Sequence, residues 1–574
     1  MFSGDGHGKL QAPRALPLPG RVTALTAGEV NRADGLPDLV VGASTSDGFQ
    51  VLVYESPGGA VNARAEVFPV AAEVTTVAVG RVLGGVESDI TVGTGQEVVV
   101  IRGRDRRLSV SSATRIPAAI DRYVLSSPVR ALAIGMFGDQ ARSKLAVLSE
   151  DGAVRVLETG PNLEVPRWRL HTVRGGAALM PAKVSDGRHD DLIVIDDVDP
   201  EVHILGDHRA AVRLDNGRIV AVLPMRLNAD ALSDLVLLRS DKLAPEVMLS
   251  APANTFVVNS SGDGSDCDLT DNICSTGSGF DGNGKCILTG ICPLRAALEQ
   301  ASASPGLNEV TFQVSTASVG GPGGTMSISG PMIVDGTTAP GGRVEIPGNT
   351  LRGVTSPFIE SSTIRGLVLN WDSSSIPIAR PDELIRLGSN NILQGNFIGT
   401  DRTGTLAVGS NVGTQIEVRG DGNVIGGTSI TARNVLSGNL SGNAFSLLGN
   451  NNIVQGNYIG RDVTGNAPLG TGGSVAGTGN MIGGTAPGAR NVIGSLEVVG
   501  SGNLIQGNYV GTDASGKSAL GGGLSVFSEP SLFLGNNNMI GGPSPGAGNV
   551  VSGGSGIVLS DFFFGGGNLI QGNI

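Results

Sequence analysis

Four cysteines are the first residues whose type and spacing could do chemistry. Cys267, Cys274, Cys286 and Cys292 are the only cysteines, and they lie close together in the middle of the chain. Their spacings lack the paired C-x2–4-C pattern of structural zinc sites, and the nearest histidine is the distant His208. We therefore predict two disulfide bonds, which implies an oxidising compartment. Three connectivities remain open.

Carboxylates are the second group that could carry chemistry. Glycoside hydrolysis needs two or three that converge on one site, whereas a lyase needs an arginine or lysine base. Asp401, Asp462 and Asp513 occupy one position in successive copies of a repeat. A catalytic group is needed once and a turn residue in every copy, so we predict a structural role and assign no catalytic residue. No histidine follows His208, which excludes Ser–His–Asp chemistry from the C-terminal half.

Composition excludes several classes of protein. The net charge is −12 without a cluster of basic residues, which argues against a nucleic-acid partner. No stretch approaches the roughly 18–20 apolar residues of a transmembrane helix, so none is expected in this chain. Glycine accounts for 89 of 574 residues and aromatic residues for 4%, as in many short strands joined by tight turns. Met1 leads into no signal peptide, and we interpret this as a missing upstream segment.

One pattern recurs five times in the first half: a short apolar strand, a polar turn and a second apolar strand. The second strand begins at Asp38, Asp89, Lys144, Asp191 and Asp234, which by subtraction are 51, 55, 47 and 43 residues apart. A spacing of about 40–50 residues with several strands per unit is typical of propeller blades. A tandem sandwich array would need about 100 residues per unit.

The turn of the first copy is GEVNRADGLPDL at 28–39, which resembles the FG-GAP or VCBS repeat. In that family the acidic turn binds Ca²⁺, a hard cation that takes six to eight oxygen ligands. The resemblance implies a structural calcium ion bound by Asn31, Asp34 and Asp38 in blade 1 and by Asn228, Asp230 and Asp234 in blade 5. The alternative is that these are ordinary solvated turn residues. No organic cofactor is expected.

The cysteine-rich segment joins the two halves. TFVVNS at 255–260 reads as a strand, and CPLRAALEQA at 292–301 predicts a helix whose apolar face is Leu294, Ala297, Leu298 and Ala301. The two motifs resemble the CSLREA domain, although Pro293 replaces the usual serine or threonine. The resemblance implies that this segment introduces a β-helix, and an amphipathic helix can plug the exposed end of its first coil.

Asparagine and glycine punctuate short strands in the second half. The motif NNILQGN at 390–396 returns at 451–457 and 502–508 and begins again at 568, and NVIGG or NMIGG alternates with it. Gln394, Gln455, Gln506 and Gln571 are 61, 51 and 65 residues apart by subtraction, which fits two to three coils of about 20–25 residues. Stacked coils bury isoleucine on isoleucine, and corner asparagines can form ladders. The pattern resembles the pectin-lyase-like right-handed β-helix of bacterial surface proteins.

The predicted fold class is all-β: β-propeller-like repeats followed by a right-handed parallel β-helix, with one short capping helix at the junction. The expected domains are 1–250 (propeller, incomplete at its N-terminus), 251–309 (disulfide-stapled cap) and 310–574 (β-helix, ending within a repeat). We expect a non-catalytic secreted or bacterial cell-surface protein that adheres to or displays an extracellular glycan or protein ligand, with its signal and anchor outside this chain. The alternative is a pectate-lyase-like or polygalacturonase-like enzyme acting on an acidic polysaccharide.

Overall fold

The chain forms two compact units, one of residues 1–228 with 232–250 and one of residues 229–231 with 251–574. The computed structural model describes residues 14–30, 38–55, 60–83, 87–104, 117–137, 143–157, 168–170, 177–185, 189–195, 201–206, 210–213, 218–228, 230–317, 325–347, 350–353, 358–370, 383–408, 414–439, 442–527, 536–554, 556–560 and 567–574.

Over its described residues, the first unit consists of five small antiparallel sheets, whose strands follow one another in chain order. The strands are β1 (Arg21–Gly28), β2 (Asp38–Thr45), β3 (Gly48–Tyr54) and β4 (Glu66–Val70); β5 (Val74–Gly80), β6 (Asp89–Thr94), β7 (Glu97–Ile101) and β8 (Ile120–Val124); β9 (Val129–Gly135), β10 (Lys144–Ser149), β11 (Ala153–Leu157) and β12 (Trp168–Arg169); β13 (Ala178–Ala182), β14 (Asp191–Ile195), β15 (Glu201–Leu205) and β16 (Ala210–Arg213); and β17 (Ile219–Met225), β18 (Asp234–Arg239) and β19 (Glu246–Met248).

Each sheet corresponds to one copy of the sequence repeat. The anchor residue begins the second strand and pairs with the last residue of the first strand, as Asp89 does with Gly80. The second and third strands are rich in valine, isoleucine and leucine and are largely buried. The first strands β1, β5, β9 and β13 lie side by side in that order. The sheets are therefore β-propeller-like blades, as the sequence predicts.

Three long parallel sheets form most of the second unit, and each complete coil visits sheets I, II and III in turn. Sheet I contains β20 (Asn254–Val258), β23 (Asn308–Phe312), β25 (Met332–Asp335), β28 (Thr363–Arg365), β31 (Ile392–Gln394), β34 (Val424–Gly426), β37 (Ile453–Gln455), β40 (Met481–Gly483), β43 (Leu504–Gln506), β46 (Met539–Gly541) and β49 (Leu569–Gln571). Sheet II contains β26 (Val344–Pro347), β29 (Leu367–Asn370), β32 (Phe397–Ile398), β35 (Val435–Leu436), β38 (Tyr458–Ile459), β41 (Val492–Ile493), β44 (Tyr509–Val510) and β47 (Val550–Val551). Sheet III contains β24 (Thr325–Ile328), β27 (Thr350–Gly353), β30 (Ile385–Leu387), β33 (Ile416–Val418), β36 (Phe445–Leu447), β39 (Gly473–Val475), β42 (Leu496–Val498), β45 (Gly523–Phe527) and β48 (Gly556–Ser560).

Stacked apolar residues fill the bore of this parallel β-helix. One inward column of sheet I runs through Ile364, Leu393, Ile425, Val454, Ile482, Ile505 and Ile540, all fully buried or nearly so. Neighbouring coils thus remove one another's apolar faces from water, which no single coil can do alone.

Two buried asparagine ladders run along the coils, as the repeats predict. The first contains Asn391, Asn423, Asn452, Asn480, Asn503, Asn538 and Asn568, and the second Asn396, Asn434, Asn457, Asn491, Asn508, Asn549 and Asn573. Successive members of the first ladder are 32, 29, 28, 23, 35 and 30 residues apart. The repeat therefore contains two coils, most of them longer than the expected 20–25 residues.

A short helix precedes the first complete coil. Helix α1 (Leu294–Ala303) buries Leu294, Ala297, Leu298 and Ala301 against the end of the bore, so the predicted apolar face is correct. Pro293 takes the N-cap position, where it makes no side-chain capping hydrogen bond. A two-stranded hairpin, β21 (Gly277–Phe280) and β22 (Cys286–Leu288), comes before it, and short 3-10 turns lie at 60–62, 336–338, 430–432 and 487–489.

Candidate functional site

The four cysteines form two disulfide bonds, Cys267–Cys286 and Cys274–Cys292, and none remains free. Of the three open connectivities the chain therefore has the interleaved one. Cys267–Cys286 ties the segment before the hairpin to its second strand, and Cys274–Cys292 ties that segment to the residue that precedes Pro293 and α1. Gly277 lies against the first bond, where a Cβ atom would be 2.3 Å from the Cys267 sulfur. A zinc ligand must be a thiolate, which a disulfide-bonded cysteine cannot provide, and the two bonds indicate an oxidising compartment.

The anchor aspartates of the propeller turns are buried and accept hydrogen bonds from the backbone. In blade 5, Asp234 Oδ2 accepts from the N–H groups of Leu227 and Asn228 at 2.6 and 3.1 Å. Its Oδ1 accepts from the N–H and hydroxyl of Ser250 at 2.8 and 2.9 Å. Desolvation raises the pKa of Asp234, but these hydrogen bonds outweigh it and the net effect lowers the pKa. The four donors match the roughly four lone-pair sites of a carboxylate.

The predicted calcium ligands of blade 1 are only partly placed. Asn31 and Asp34 lie outside the described residues. Asp38 is buried, and its Oδ2 accepts from the N–H of Val30 at 2.9 Å. Calcium binding at this turn stays a prediction.

The blade 5 ligands are all described. Asn228 donates its side-chain amide to the carbonyl and hydroxyl oxygens of Ser250 at 2.8 and 3.0 Å, and Asp230 is buried in the same turn. Calcium takes six to eight oxygen ligands, whereas both carboxylate oxygens of Asp234 already accept two hydrogen bonds each, so Asp234 as placed is not free to bind the ion. Over the described ranges, no three His, Cys, Asp or Glu side chains are placed to hold a metal.

The repeated aspartates of the β-helix each close a loop that follows sheet II. Asp513 Oδ1 accepts from the N–H groups four and five residues later at 3.0 and 3.2 Å, and the Ser515 hydroxyl donates to the carboxylate. Desolvation raises the pKa of Asp513, but the hydrogen bonds prevail and lower the pKa to about 2. Asp401 and Asp462 accept the same two backbone bonds. The three acids therefore share one loop-closing position.

These loops and a row of arginines cover the outer face of sheet II. The guanidinium groups of three arginines stack on outward-facing rings in the pairs Arg343–Phe397 (3.9 Å to the ring centroid), Arg433–Tyr458 (4.2 Å) and Arg490–Tyr509 (4.1 Å). The loop glycines Gly404, Gly465 and Gly516 pack so closely on the same rings that a Cβ atom would lie 2.7–2.9 Å from them. The chain thus occupies this face itself.

Charged side chains gather on the outer face of sheet III instead. We call Glu383, Arg386, Glu417 and Arg419 the sheet III charge cluster. Arg386 lies 2.6 Å from a carboxylate oxygen of Glu383 and 3.5 Å from one of Glu417, and Arg419 binds the other Glu417 oxygen at 2.8 Å. Arg419 also lies 5.5 Å from the ring centroid of Phe358. Each carboxylate is therefore paired with at least one arginine.

In this cluster the carboxylates are more deeply buried than the guanidinium groups. The side chains of Glu383 and Glu417 are 9% and 10% exposed, whereas those of Arg386 and Arg419 are 22% and 57% exposed. The negative charges thus lie beneath the positive ones, and the surface presents guanidinium groups to solvent. Such groups bind carboxylate, sulfate or polar hydroxyl groups of a ligand.

The cluster continues as a polar column along the sheet. From Arg386 and Glu417 the paired outward residues are Ser446, Ser474, Glu497 and Ser525, one on each successive strand. Adjacent strands are about 4.8 Å apart, so these side chains form a regular row suited to an extended ligand. Chemically the column can donate and accept hydrogen bonds along its length.

Sequence reasoning missed the sheet III charge cluster, because no motif connects its members. The one usable signal is a triplet with a charged residue between two apolar ones, which occurs at 385–387 (IRL), 416–418 (IEV) and 496–498 (LEV). An apolar–charged–apolar triplet indicates a strand with one face buried. It does not reveal which triplets are neighbours.

Comparison with known proteins gives only distant similarities. No protein-family model and no curated protein matches the chain. Among solved structures, BBS1N in complex with ARL6DN is 17% identical, with 42% of this chain and 70% of that chain covered and a TM-score of 0.31. Virginiamycin B lyase from Staphylococcus aureus is 7% identical, with 41% and 71% covered and a TM-score of 0.25. The fold assignment rests on strand pairing.

None of the described helices has the length and apolarity needed to cross a membrane.

Proposed function

We propose that this chain is a non-catalytic repeat protein that works outside the cell and binds a glycan or a protein on the outer face of sheet III. The two disulfides support an extracellular location. We further propose that the blades belong to the FG-GAP/VCBS repeats, the disulfide-stapled segment to the CSLREA domain and the coils to the pectin-lyase-like β-helices. The motifs quoted from the sequence carry these three assignments.

The observation that carries the binding proposal is the contrast between two faces of the β-helix. Sheet II is covered by the chain's own loops and arginines, whereas sheet III presents a polar column beside the sheet III charge cluster, where the Arg419 side chain is 57% exposed. A flat, pre-formed row of side chains loses little conformational freedom when it binds an extended ligand. Binding and display are therefore the functions that this geometry favours.

The second candidate is a polysaccharide lyase or glycoside hydrolase, and the sheet III charge cluster is the observation in its favour. It brings two carboxylates and two arginines together at one place, as either chemistry requires. Against it, arginine stays protonated near neutral pH and is a poor base, and both glutamates are already engaged in ion pairs with Arg386 or Arg419.

A glycan array, run together with assays for reducing ends and unsaturated products, separates the two candidates. We expect the full chain to bind without releasing product, and Arg419→Ala to weaken binding about tenfold, as loss of a charged contact does. Lys517→Ala is the matched control, because it removes an exposed cation from a sheet II loop. Release of product from any polyuronide would show that the chain is an enzyme. Equal binding by Arg419→Ala and Lys517→Ala would exclude the outer face of sheet III as the binding surface.

A further inference from the structure

Three propeller turns share an arrangement that is built around an aspartate rather than around a metal ion. In blade 2, Asp89 Oδ2 accepts from the consecutive N–H groups of Val82 and Leu83, both at 2.9 Å. In blade 4, Asp191 Oδ2 accepts from those of Val184 and Ser185 at 3.0 and 2.8 Å. Asp234 receives the corresponding pair in blade 5. Each turn thus wraps two successive N–H groups around one carboxylate oxygen.

The second carboxylate oxygen is also engaged in every case. Asp89 Oδ1 accepts from the N–H of Gly103 at 2.8 Å, and Asp191 Oδ1 from the hydroxyl of Ser185 at 2.8 Å. Asp234 Oδ1 takes two donors from Ser250. N–H and O–H groups carry positive charge at the hydrogen, so they occupy the side of the carboxylate that a cation would approach.

A basic residue stands eight positions before each of these aspartates. By subtraction, 89 − 81, 191 − 183 and 234 − 226 all equal 8, and the residues are Arg81, Lys183 and Arg226. Lys183 is only 4% exposed, and its ammonium donates to the carbonyl of His189, inside the blade 4 turn, at 3.2 Å. A buried ammonium and a divalent cation in one small turn would repel each other strongly.

Blade 1 differs at the same place. Its turn is one residue longer, since the acidic Glu29 stands nine positions before Asp38. Blade 3 has Lys144 in place of the anchor aspartate and Met136 eight positions before it. The basic residue therefore occurs in the three blades that combine an aspartate anchor with the shorter turn.

We propose that the turns of blades 2, 4 and 5 are built to form without a metal: paired backbone N–H groups hold the carboxylate of the anchor aspartate, and the basic residue eight positions before it, buried Lys183 in blade 4, takes the place of the positive charge that calcium would bring. This replaces the calcium prediction for Asn228, Asp230 and Asp234 and leaves the one for Asn31, Asp34 and Asp38 as it was. Any calcium response of the chain then originates outside blades 2, 4 and 5.

Peptide-resolved hydrogen exchange on the full chain, with excess EGTA and then with millimolar CaCl₂, tests the proposal. We expect amide protection at 82–83, 184–185 and 227–228 to be the same in both conditions. Asp234→Asn should speed exchange at 227–228 at least about tenfold, as loss of roughly 1.4 kcal/mol of local stability does, and equally with and without calcium. Because the readout is local, a calcium effect at blade 1 does not interfere.

Lys183 gives an independent arm. Lys183→Met should weaken protection at 184–185 in EGTA, and Lys183→Arg should retain it, because the positive charge is what the turn requires. Calcium-dependent protection at 227–228 that Asp230→Asn abolishes would overturn the proposal for blade 5. The proposal would be overturned for blade 4 if Lys183→Arg lost protection at 184–185 in EGTA and calcium alone restored it. It would also be overturned if the unaltered chain lost this protection in EGTA.

Discussion

The propeller blades and the β-helix coils both rely on buried polar side chains at their turns, but they use them over different distances. In the blades, Asp89 receives N–H groups from residues 6 to 14 positions away, all within one sheet and its turn. In the coils, each ladder asparagine bonds to the next coil, 17 to 41 residues away. One kind of clamp is local to its repeat, and the other joins repeats.

This difference accounts for how differently the two halves repeat their motifs. The hydrogen bonds to an anchor aspartate come from residues of its own blade, and blade 3 has Lys144 at the anchor position. A ladder asparagine is at once donor to one coil and acceptor from another, so its identity is fixed from both sides. The strict repetition of the coils and the degeneracy of the blades follow from the reach of their hydrogen bonds.

The largest expected effect is at the middle of a ladder. Asn457 accepts from the N–H and side-chain amide of Asn434 and donates to the oxygen of Asn491. Asn457→Ala leaves buried partners on both sides unsatisfied, at about 1–3 kcal/mol each, so we expect a loss of at least about 3 kcal/mol. Chemical denaturation measures it, and hydrogen exchange should show weakened protection in both adjoining coils.

Asn466→Ala is the control for this prediction, because Asn466 lies in an exposed loop of the same coil, outside both ladders. It should unfold at the same denaturant concentration as the unaltered chain. Protection lost only in the coil that contains residue 457 would contradict axial coupling and make the ladder a set of local clamps like those of the blades.

A smaller effect is expected from a blade. Asp89→Ala removes the acceptor for three N–H groups, at Val82, Leu83 and Gly103. Because Leu83 and Gly103 are only half-buried, water can replace part of what their N–H groups lose, so we expect a loss of about 2 kcal/mol. Faster hydrogen exchange should be confined to 80–103. Asp47→Ala, in an exposed turn of blade 1, is the control, and spread of the effect into β13 and β14 would show that blades are coupled as coils are.

The contrast also shows how much the sequence could predict. Five anchor positions and the alternating NNxxQGN and NxIGG motifs were enough to expect the β-propeller-like repeats, the parallel coils and the asparagine ladders, because each feature is set by residues close in sequence. The residue before each first-ladder asparagine has positive φ, which explains why this position is always asparagine or glycine. Asn390, Asn451 and Asn537 adopt this conformation, as do the glycines at the equivalent positions of the other coils.

Features that depend on long-range register could not be predicted in the same way. Arg386 and Glu417 become neighbours only because the intervening coil happens to bring their strands into register, and coil lengths vary from 23 to 35 residues. The coil estimate of 20–25 residues failed for the same reason. Disulfide connectivity is likewise a property of the folded loop, where Gly277 leaves room for a bond that spacing cannot select.

The smallest effect concerns acid, and it tests whether the β-helix also contains local clamps. The pKa of Asp513 is about 2 in the folded chain and about 3.9 when unfolded. A depressed pKa contributes stability that is fully present above the unfolded value and is lost as pH falls through the folded value. The melting temperature of Asp513→Asn should therefore lie below that of the unaltered chain at pH 6, and the difference should shrink between pH 4 and pH 2. Because the loop is solvent-exposed, the difference should be smaller than for Asp89→Ala. A difference that persists unchanged at pH 2 would mean that the loop needs the shape of the aspartate and not its charge.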